Sequence, residues 1–81
     1  MLGFKDTIGN PAWMAENREK LTAMFPETWT HIGNVNLLSI GFTLKLMGMD
    51  WRTNDEFAKY LSILEDIGII KRDGVLIRRG R

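Results

Sequence analysis

The sequence predicts a single small α+β domain in which three helices are followed by a C-terminal β-hairpin. Residues 57–67 carry apolar side chains at three- and four-residue steps, which is the stripe of an amphipathic helix. Residues 69–79 contain two β-branched, apolar-rich runs around Asp73-Gly74, a strong signal for a hairpin. The 81 residues suffice for one domain, and the 44% that are hydrophobic can supply its core.

The first helix is predicted over residues 12–25, after a lead-in at residues 1–9 that we expect to be loose. Asn10 can accept hydrogen bonds from the free N–H groups at the helix start. Pro11 suits the first helical position because its missing N–H is not needed there. Pro26 ends the helix. Residues 10–25 are therefore predicted as an extra N-terminal helix of the single domain 1–81.

Residues 34–49 admit two interpretations. From residue 37 to residue 46, apolar side chains partly alternate with polar or small ones, which is a strand pattern and would give a larger sheet. As a helix, the segment has two apolar faces, formed by Val35, Leu38, Phe42, Leu46 and Met49 and by Leu37, Ile40, Leu44 and Met47. Such a helix would be buried nearly all round, with Asn34 as its cap. We favour the helix, ended by Gly48, because the next segment is typical of the second member of a helix pair.

The third helix is the clearest element in the sequence. Thr53 or Asn54 can cap it, and Glu56 follows Thr53 at capping-box spacing. Its buried stripe is Phe57, Tyr60, Leu61, Leu64 and Ile67, and its opposite face is Asp55, Ala58, Lys59, Ser62 and Asp66. Gly68 ends it. The hairpin turn is then predicted at Asp73-Gly74, with positive φ at both central residues. A short strand near residues 29–32 is expected to add a third strand.

The stretch Leu64-Glu65-Asp66-Ile67-Gly68-Ile69-Ile70-Lys71-Arg72, followed by Asp73-Gly74 and a returning strand, resembles the winged helix-turn-helix superfamily over about residues 34–80. The resemblance implies an α+β winged helix-turn-helix fold. It also implies a DNA-binding transcription regulator of bacterial or phage type, working as a possible homodimer. The helix at 53–67 becomes the recognition helix that enters the DNA major groove, and the hairpin becomes the wing.

The candidate nucleic-acid-binding residues follow from this resemblance and from charge. They are Arg52, Thr53, Asn54 and Lys59 on the recognition helix, and Lys71, Arg72, Arg78, Arg79 and Arg81 on or just beyond the wing. The last eleven residues carry a net charge of +4, whereas the first seventy carry −3. Lys and Arg on a hairpin can neutralise phosphates, so double-stranded DNA is the expected partner.

The exposed face of the third helix favours an alternative. Asp55 and Asp66 lie on it, and carboxylates are repelled by DNA phosphates. The same fold could then be a protein-interaction module, docking on a host, replication or transcription protein through the Asp55 and Asp66 face.

Other classes of function have little support in the sequence. The chain has no Cys and a single histidine, His31, so we expect no imidazole- or thiolate-based zinc site. It lacks a phosphate-cradling glycine loop and a nucleophile elbow. We therefore expect no catalytic residue, metal or cofactor, and no enzyme.

The sequence also contains no signal segment and no apolar run suited to a bilayer. We expect a cytoplasmic protein without a membrane partner. The tryptophans Trp13, Trp29 and Trp51 are predicted to pack in or against the core, with a dimer interface as the alternative for Trp13.

Overall fold

A computed structural model of the chain describes residues 6–49 and 51–80. Its described residues form α1 (Pro11–Ala23), β1 (Thr30–His31), α2 (Leu37–Leu46), α3 (Asn54–Asp66), β2 (Ile70–Asp73) and β3 (Leu76–Arg79), with a 3-10 turn at Ile32–Asn34. The strands form an antiparallel sheet in the order β1-β3-β2, so β3 is central. The predicted α+β fold of three helices and a C-terminal hairpin is confirmed, and β1 is the additional strand expected near residues 29–32.

Helix α1 starts as its sequence predicts. The side-chain oxygen of Asn10 accepts a hydrogen bond from the backbone N–H of Ala12 at 2.9 Å, and Pro11 takes the first helical position. Leu21 in the helix is almost fully buried, as is Phe25, which lies two residues after the last helical residue, Ala23. Helix α1 thus supplies part of the shared core and is an integral element of the domain.

The segment before α1 is better packed than a loose lead-in. The side chains of Thr7 and Ile8 are buried, with exposed fractions of 0% and 5%. The carbonyl of Thr7 accepts a hydrogen bond from the N–H of Asn10 at 2.9 Å, which closes a turn into the helix. Residues 1–5 lie outside the described residues.

Helix α2 settles the ambiguity of residues 37–46 in favour of a helix. Its cap is Asn36, whose side-chain oxygen accepts from the N–H of Ser39 at 3.0 Å; Asn34 lies in the preceding turn. Gly48 ends it with φ of 100°. Its inner face, with Ile40 and Leu44, is buried.

The prediction that α2 is buried nearly all round is wrong. Leu38, Phe42 and Leu46 are 83%, 63% and 73% exposed. In a domain this small, α2 has its core on one side, and no described element packs against the other. We call these three residues the α2 stripe.

Helix α3 follows the prediction closely. The hydroxyl of Thr53 accepts from the N–H of Glu56 at 3.2 Å, and the carboxylate of Glu56 accepts from the N–H of Arg52 at 3.0 Å. The second bond reaches one residue further back than a standard capping box does. Tyr60, Leu61 and Leu64 are buried, and Phe57 and Ile67 pack against the core.

The hairpin turn is shifted by one residue from the predicted position. Asp73 pairs with Leu76, so the two loop residues are Gly74 and Val75. Gly74 has φ of 59°, and among the described residues only glycines have positive φ. Glycine at the first central position is the signature of a type II′ turn. The prediction of positive φ at both Asp73 and Gly74 is therefore wrong, because Asp73 belongs to strand β2.

Candidate nucleic-acid interface

The strand register divides the basic residues of the hairpin between the two faces of the sheet. Lys71 lies opposite Arg78, and Arg72 lies opposite the fully buried Ile77. Because side chains alternate along a strand, Lys71 and Arg78 share the outer face, whereas Arg72 and Arg79 belong to the face that packs on the core.

Arg79 connects β3 to the end of helix α1. Its guanidinium donates to the carbonyls of Phe25 at 2.7 Å and Ala23 at 3.1 Å, and to the carboxylate of Glu27 at 3.0 Å. The two carbonyls lie at the helix C-terminus, where intrahelical partners run out and a cation is favoured by the helix dipole. Arg79 therefore stabilises the fold.

Arg72 is also engaged inside the molecule. Its Nε donates to the carboxylate of Glu65 at 2.7 Å, and an Nη donates to the hydroxyl of Ser62 at 3.3 Å. Both partners are on helix α3, so the bonds fasten β2 to that helix. The charge of Arg72 is largely compensated by Glu65, and it contributes less to an outer basic surface than the sequence count implies.

The outer face of the hairpin carries Lys71 and Arg78 as directly opposed cross-strand neighbours. Lys71 is exposed, and the guanidinium of Arg78 lies over the ring of Trp29, with 5.8 Å between its central carbon and the ring centroid. Its Nε donates to the carbonyl of Arg79 at 3.3 Å. Trp29 is 44% exposed, so it is not part of the buried core, contrary to the prediction. Its ring forms an apolar support under the cation.

The leading end of helix α3 is less favourable for an anion. Arg52 and Asn54 are exposed, but the hydroxyl of Thr53 is occupied by capping. Asp55 and Glu56 stand in the first turn. There they interact with the positive end of the helix dipole, which would otherwise attract a phosphate. Lys59 is exposed one turn further along the same helix.

The structure thus brings Lys71 and Arg78 together and gives Arg72 and Arg79 intramolecular roles. Arg81 lies outside the described residues. A signal for this division was present in the sequence. Arg72 and Arg79 fall in phase with the apolar Ile70 and Ile77 along their strands, which marks them as members of the inner face.

Trp51 packs between helices α2 and α3, in agreement with the packing role predicted for it. Its indole N–H donates to the carbonyl of Gly41 at 2.9 Å, and its ring stacks on Phe57 with 4.9 Å between centroids. The ammonium of Lys45, a residue of α2, lies over the Trp51 ring at 4.1 Å from its centroid. Trp13 is partly buried against the core, in agreement with a packing role.

His31 has a local structural role. It is exposed on β1, and its Nδ1 accepts a hydrogen bond from the N–H of Gly33 at 2.9 Å, which caps the 3-10 turn. Over residues 6–49 and 51–80, no three His, Cys, Asp or Glu side chains are grouped closely enough to hold a metal ion. Among the helices of the same residues, none combines the length and apolarity needed to cross a bilayer.

Comparison of the chain with protein-family models, with curated proteins and with solved structures gave no match. The proposals that follow therefore depend on the geometry and the sequence alone.

Proposed function

We propose that this chain binds double-stranded DNA as a winged helix-turn-helix domain whose wing is the hairpin β2–β3. The order of elements supports the proposal: one helix, a short strand, a pair of helices joined by a turn, and a hairpin that returns through the centre of the sheet. This layout is consistent with a winged helix. We further propose that it is a cytoplasmic regulator of bacterial or phage type.

The observation that carries the proposal is the pairing of Lys71 with Arg78 on the outer face of the wing. Opposed residues of an antiparallel pair have Cα atoms about 5 Å apart, and like charges at such positions destabilise a sheet. An anion that contacts both cations lowers this repulsion. A phosphate of the DNA backbone has the size and charge for that position.

The support given by Trp29 fits this role. The central carbon of the Arg78 guanidinium lies 5.8 Å from the centroid of the Trp29 ring, within cation–π distance, and its N–H donors are available to acceptors in the guanidinium plane. Attraction to the ring restrains the guanidinium before binding, so less side-chain entropy is lost when it meets a phosphate.

In this proposal, the wing contributes more than the recognition helix. The carboxylates of Asp55 and Asp66 on the exposed face of α3 oppose close approach to DNA, and Glu56 adds to them in the first turn. Arg52, Asn54 and Lys59 remain candidates for contacts at the edge of the groove. Binding is therefore expected to depend on phosphates and on salt more than on base sequence.

Fluorescence anisotropy with random duplex DNA at several salt concentrations tests the proposal. We expect micromolar binding that weakens steeply with salt. The double variant K71A/R78A should bind less tightly to all sequences, and its plot of log affinity against log salt should be shallower by about 1.8, two phosphate contacts at about 0.9 each. Lys20→Ala, which removes an exposed charge from the end of α1, is the control and should bind as the native chain does.

Two outcomes would contradict the proposal. No binding at low salt would show that the basic wing does not recognise nucleic acid. If Lys20→Ala and Lys71→Ala reduced the affinity for DNA equally, binding would depend on net charge alone and the wing would not be the contact surface.

The acidic face of helix α3 favours a second candidate, a protein-interaction module. Asp55 and Asp66 are exposed near opposite ends of the helix, with Lys59 between them. We propose that this face would meet a basic surface of a replication or transcription protein. The reversal D55K/D66K should then release a captured partner while leaving the circular dichroism spectrum unchanged, and retention of the partner would contradict this candidate.

A further inference from the structure

Helix α2 exposes a row of apolar side chains that no described element covers. The α2 stripe consists of Leu38, Phe42 and Leu46, each more than half exposed. The three side chains present on the order of 400 Å² of apolar surface, within the range of the largest patch on a typical monomer. Scattered exposed apolar residues are common in proteins, but here three of them form one continuous row at steps of four residues.

The stripe borders a groove of about 540 Å³ between α2 and the turn before α3. Its lining consists of Asn36, Leu38, Ser39, Phe42, Lys45 and Trp51. Trp51 forms its far wall and is fixed there by its hydrogen bond to α2 and by stacking on α3. One wall of the groove is therefore held in place before anything enters it, which lowers the ordering cost of binding an apolar side chain there.

The spacing of the stripe is symmetric about Phe42. Leu residues stand four positions before it and four positions after it. If a second α2 helix runs antiparallel across the first with Phe42 at the two-fold axis, each Phe42 meets Phe42 of the other copy. Leu38 then meets Leu46 of the second copy, and the same pair occurs again at the other end. A surface that matches itself in this way is what an isologous dimer requires.

We propose that the α2 stripe is the contact surface between two copies of this chain, paired as antiparallel α2 helices about Phe42. Leu46 of each copy enters the groove beside Leu38 and Trp51 of the other. Rows at four-residue steps pack side by side when two helices cross at about −50°, the commonest angle in globular proteins.

The charges of α2 permit this pairing. Lys45 is the one charged residue between Leu37 and Leu46. In the antiparallel arrangement, Lys45 lies opposite Ser39 of the second copy, so no two like charges meet. The three stripe residues themselves carry no charge, which favours the equally uncharged stripe of a second copy over a strongly charged partner surface.

The area buried between the two copies determines the expected affinity of the dimer. Two stripes bury roughly 800 Å² together, and the groove walls bring the total towards about 1,000 Å², at the lower limit for a specific interface. We therefore expect a weak dimer with a dissociation constant in the micromolar range. This inference does not depend on DNA binding.

Sedimentation velocity without DNA, across concentrations of roughly 1 to 300 µM, tests the affinity expected from this area. The native chain should pass from monomer to dimer, and Phe42→Glu should raise the dissociation constant at least tenfold. Val75→Glu is the matched control, because Val75 is 57% exposed at the hairpin turn and lies outside the stripe. It should dimerise as the native chain does.

Single cysteines test the geometry, since the chain has none of its own. With oxidised glutathione as the oxidant, Phe42→Cys should form a disulfide-linked dimer with itself, because residues at the two-fold axis come within bridging distance. Leu38→Cys and Leu46→Cys should cross-link strongly only when mixed. Val75→Cys should remain unlinked.

A chain that stays monomeric over the whole concentration range overturns the proposal. So does a native dimer that Phe42→Glu leaves intact, or a Leu38→Cys chain that cross-links to itself as readily as to Leu46→Cys. Retained circular dichroism of each variant shows that lost association is not lost folding. Because no DNA is present, loss of dimerisation and loss of DNA binding are distinguishable.

Discussion

Replacement of Arg79 by Ala should reduce the stability of the fold substantially. The change removes two hydrogen bonds to the carbonyls of Phe25 and Ala23 and an ion pair with Glu27. Hydrogen bonds that involve a charged group contribute about 1.5–3 kcal/mol each, but water can replace the bond at the exposed Ala23. Glu27 is 78% exposed, so its ion pair adds about 0–1 kcal/mol. We expect the free energy of unfolding to fall by about 2–4 kcal/mol in total.

Urea unfolding, followed by tryptophan fluorescence, measures this loss. With a denaturant slope of about 1–2 kcal/mol per molar for a small domain, the midpoint should fall by roughly 2 M. Arg78→Ala is the matched control, since Arg78 is on the outer face of the same strand, and it should lose less than about 1 kcal/mol. Glu27→Ala should cost little. If Arg79→Ala were as stable as Arg78→Ala, the hydrogen bonds of Arg79 to the end of α1 would not stabilise the fold.

Three further changes test other elements of the fold. Thr53→Ala removes the cap of α3 and should cost about 1 kcal/mol in urea unfolding, whereas an unchanged midpoint would argue against the cap. Gly41→Ala places a methyl group 2.6 Å from the ring of Trp51, so it should cost about 1–3 kcal/mol and shift the tryptophan emission to the red. A double-mutant cycle on Arg72 and Glu65 should give a coupling of about 1 kcal/mol or less, because both side chains are about one-third exposed; a coupling of several kcal/mol would contradict this estimate.

The local signals of the sequence predicted most of the fold. The stripe of α3 and the Asn10 cap with Pro11 act within one or two helical turns, so they can be read without knowledge of tertiary structure. The hairpin was located correctly but its turn was not. Asp73-Gly74 and Gly74-Val75 differ by one residue, and both registers place Ile70 and Ile77 on the same face of the sheet, so the apolar pattern does not choose between the two turns.

The candidate site was less predictable because it depends on packing between distant segments. Arg79 meets the end of α1 across more than fifty residues of chain, and no local pattern reports such a contact. The exposure of the α2 stripe has the same origin. The sequence shows that Leu38 and Phe42 lie on one apolar face, but only the position of the other elements decides which of the two apolar faces of α2 is covered.

The central place of β3 in the sheet has a consequence for the order of assembly. Within residues 6–49 and 51–80, β1 pairs with β3 alone, in a register that joins Thr30 to Ile77, and β2 pairs with β3 as well. As the ribosome makes the chain, the three helices are available first, but β1 and β2 have no neighbour in the sheet until residues 76–79 emerge. Sheet formation therefore waits for the last strand, and contacts so distant in sequence slow folding. Until then, Ile70 and the end of α1 lack their partners, so the emerging helices depend on one another alone.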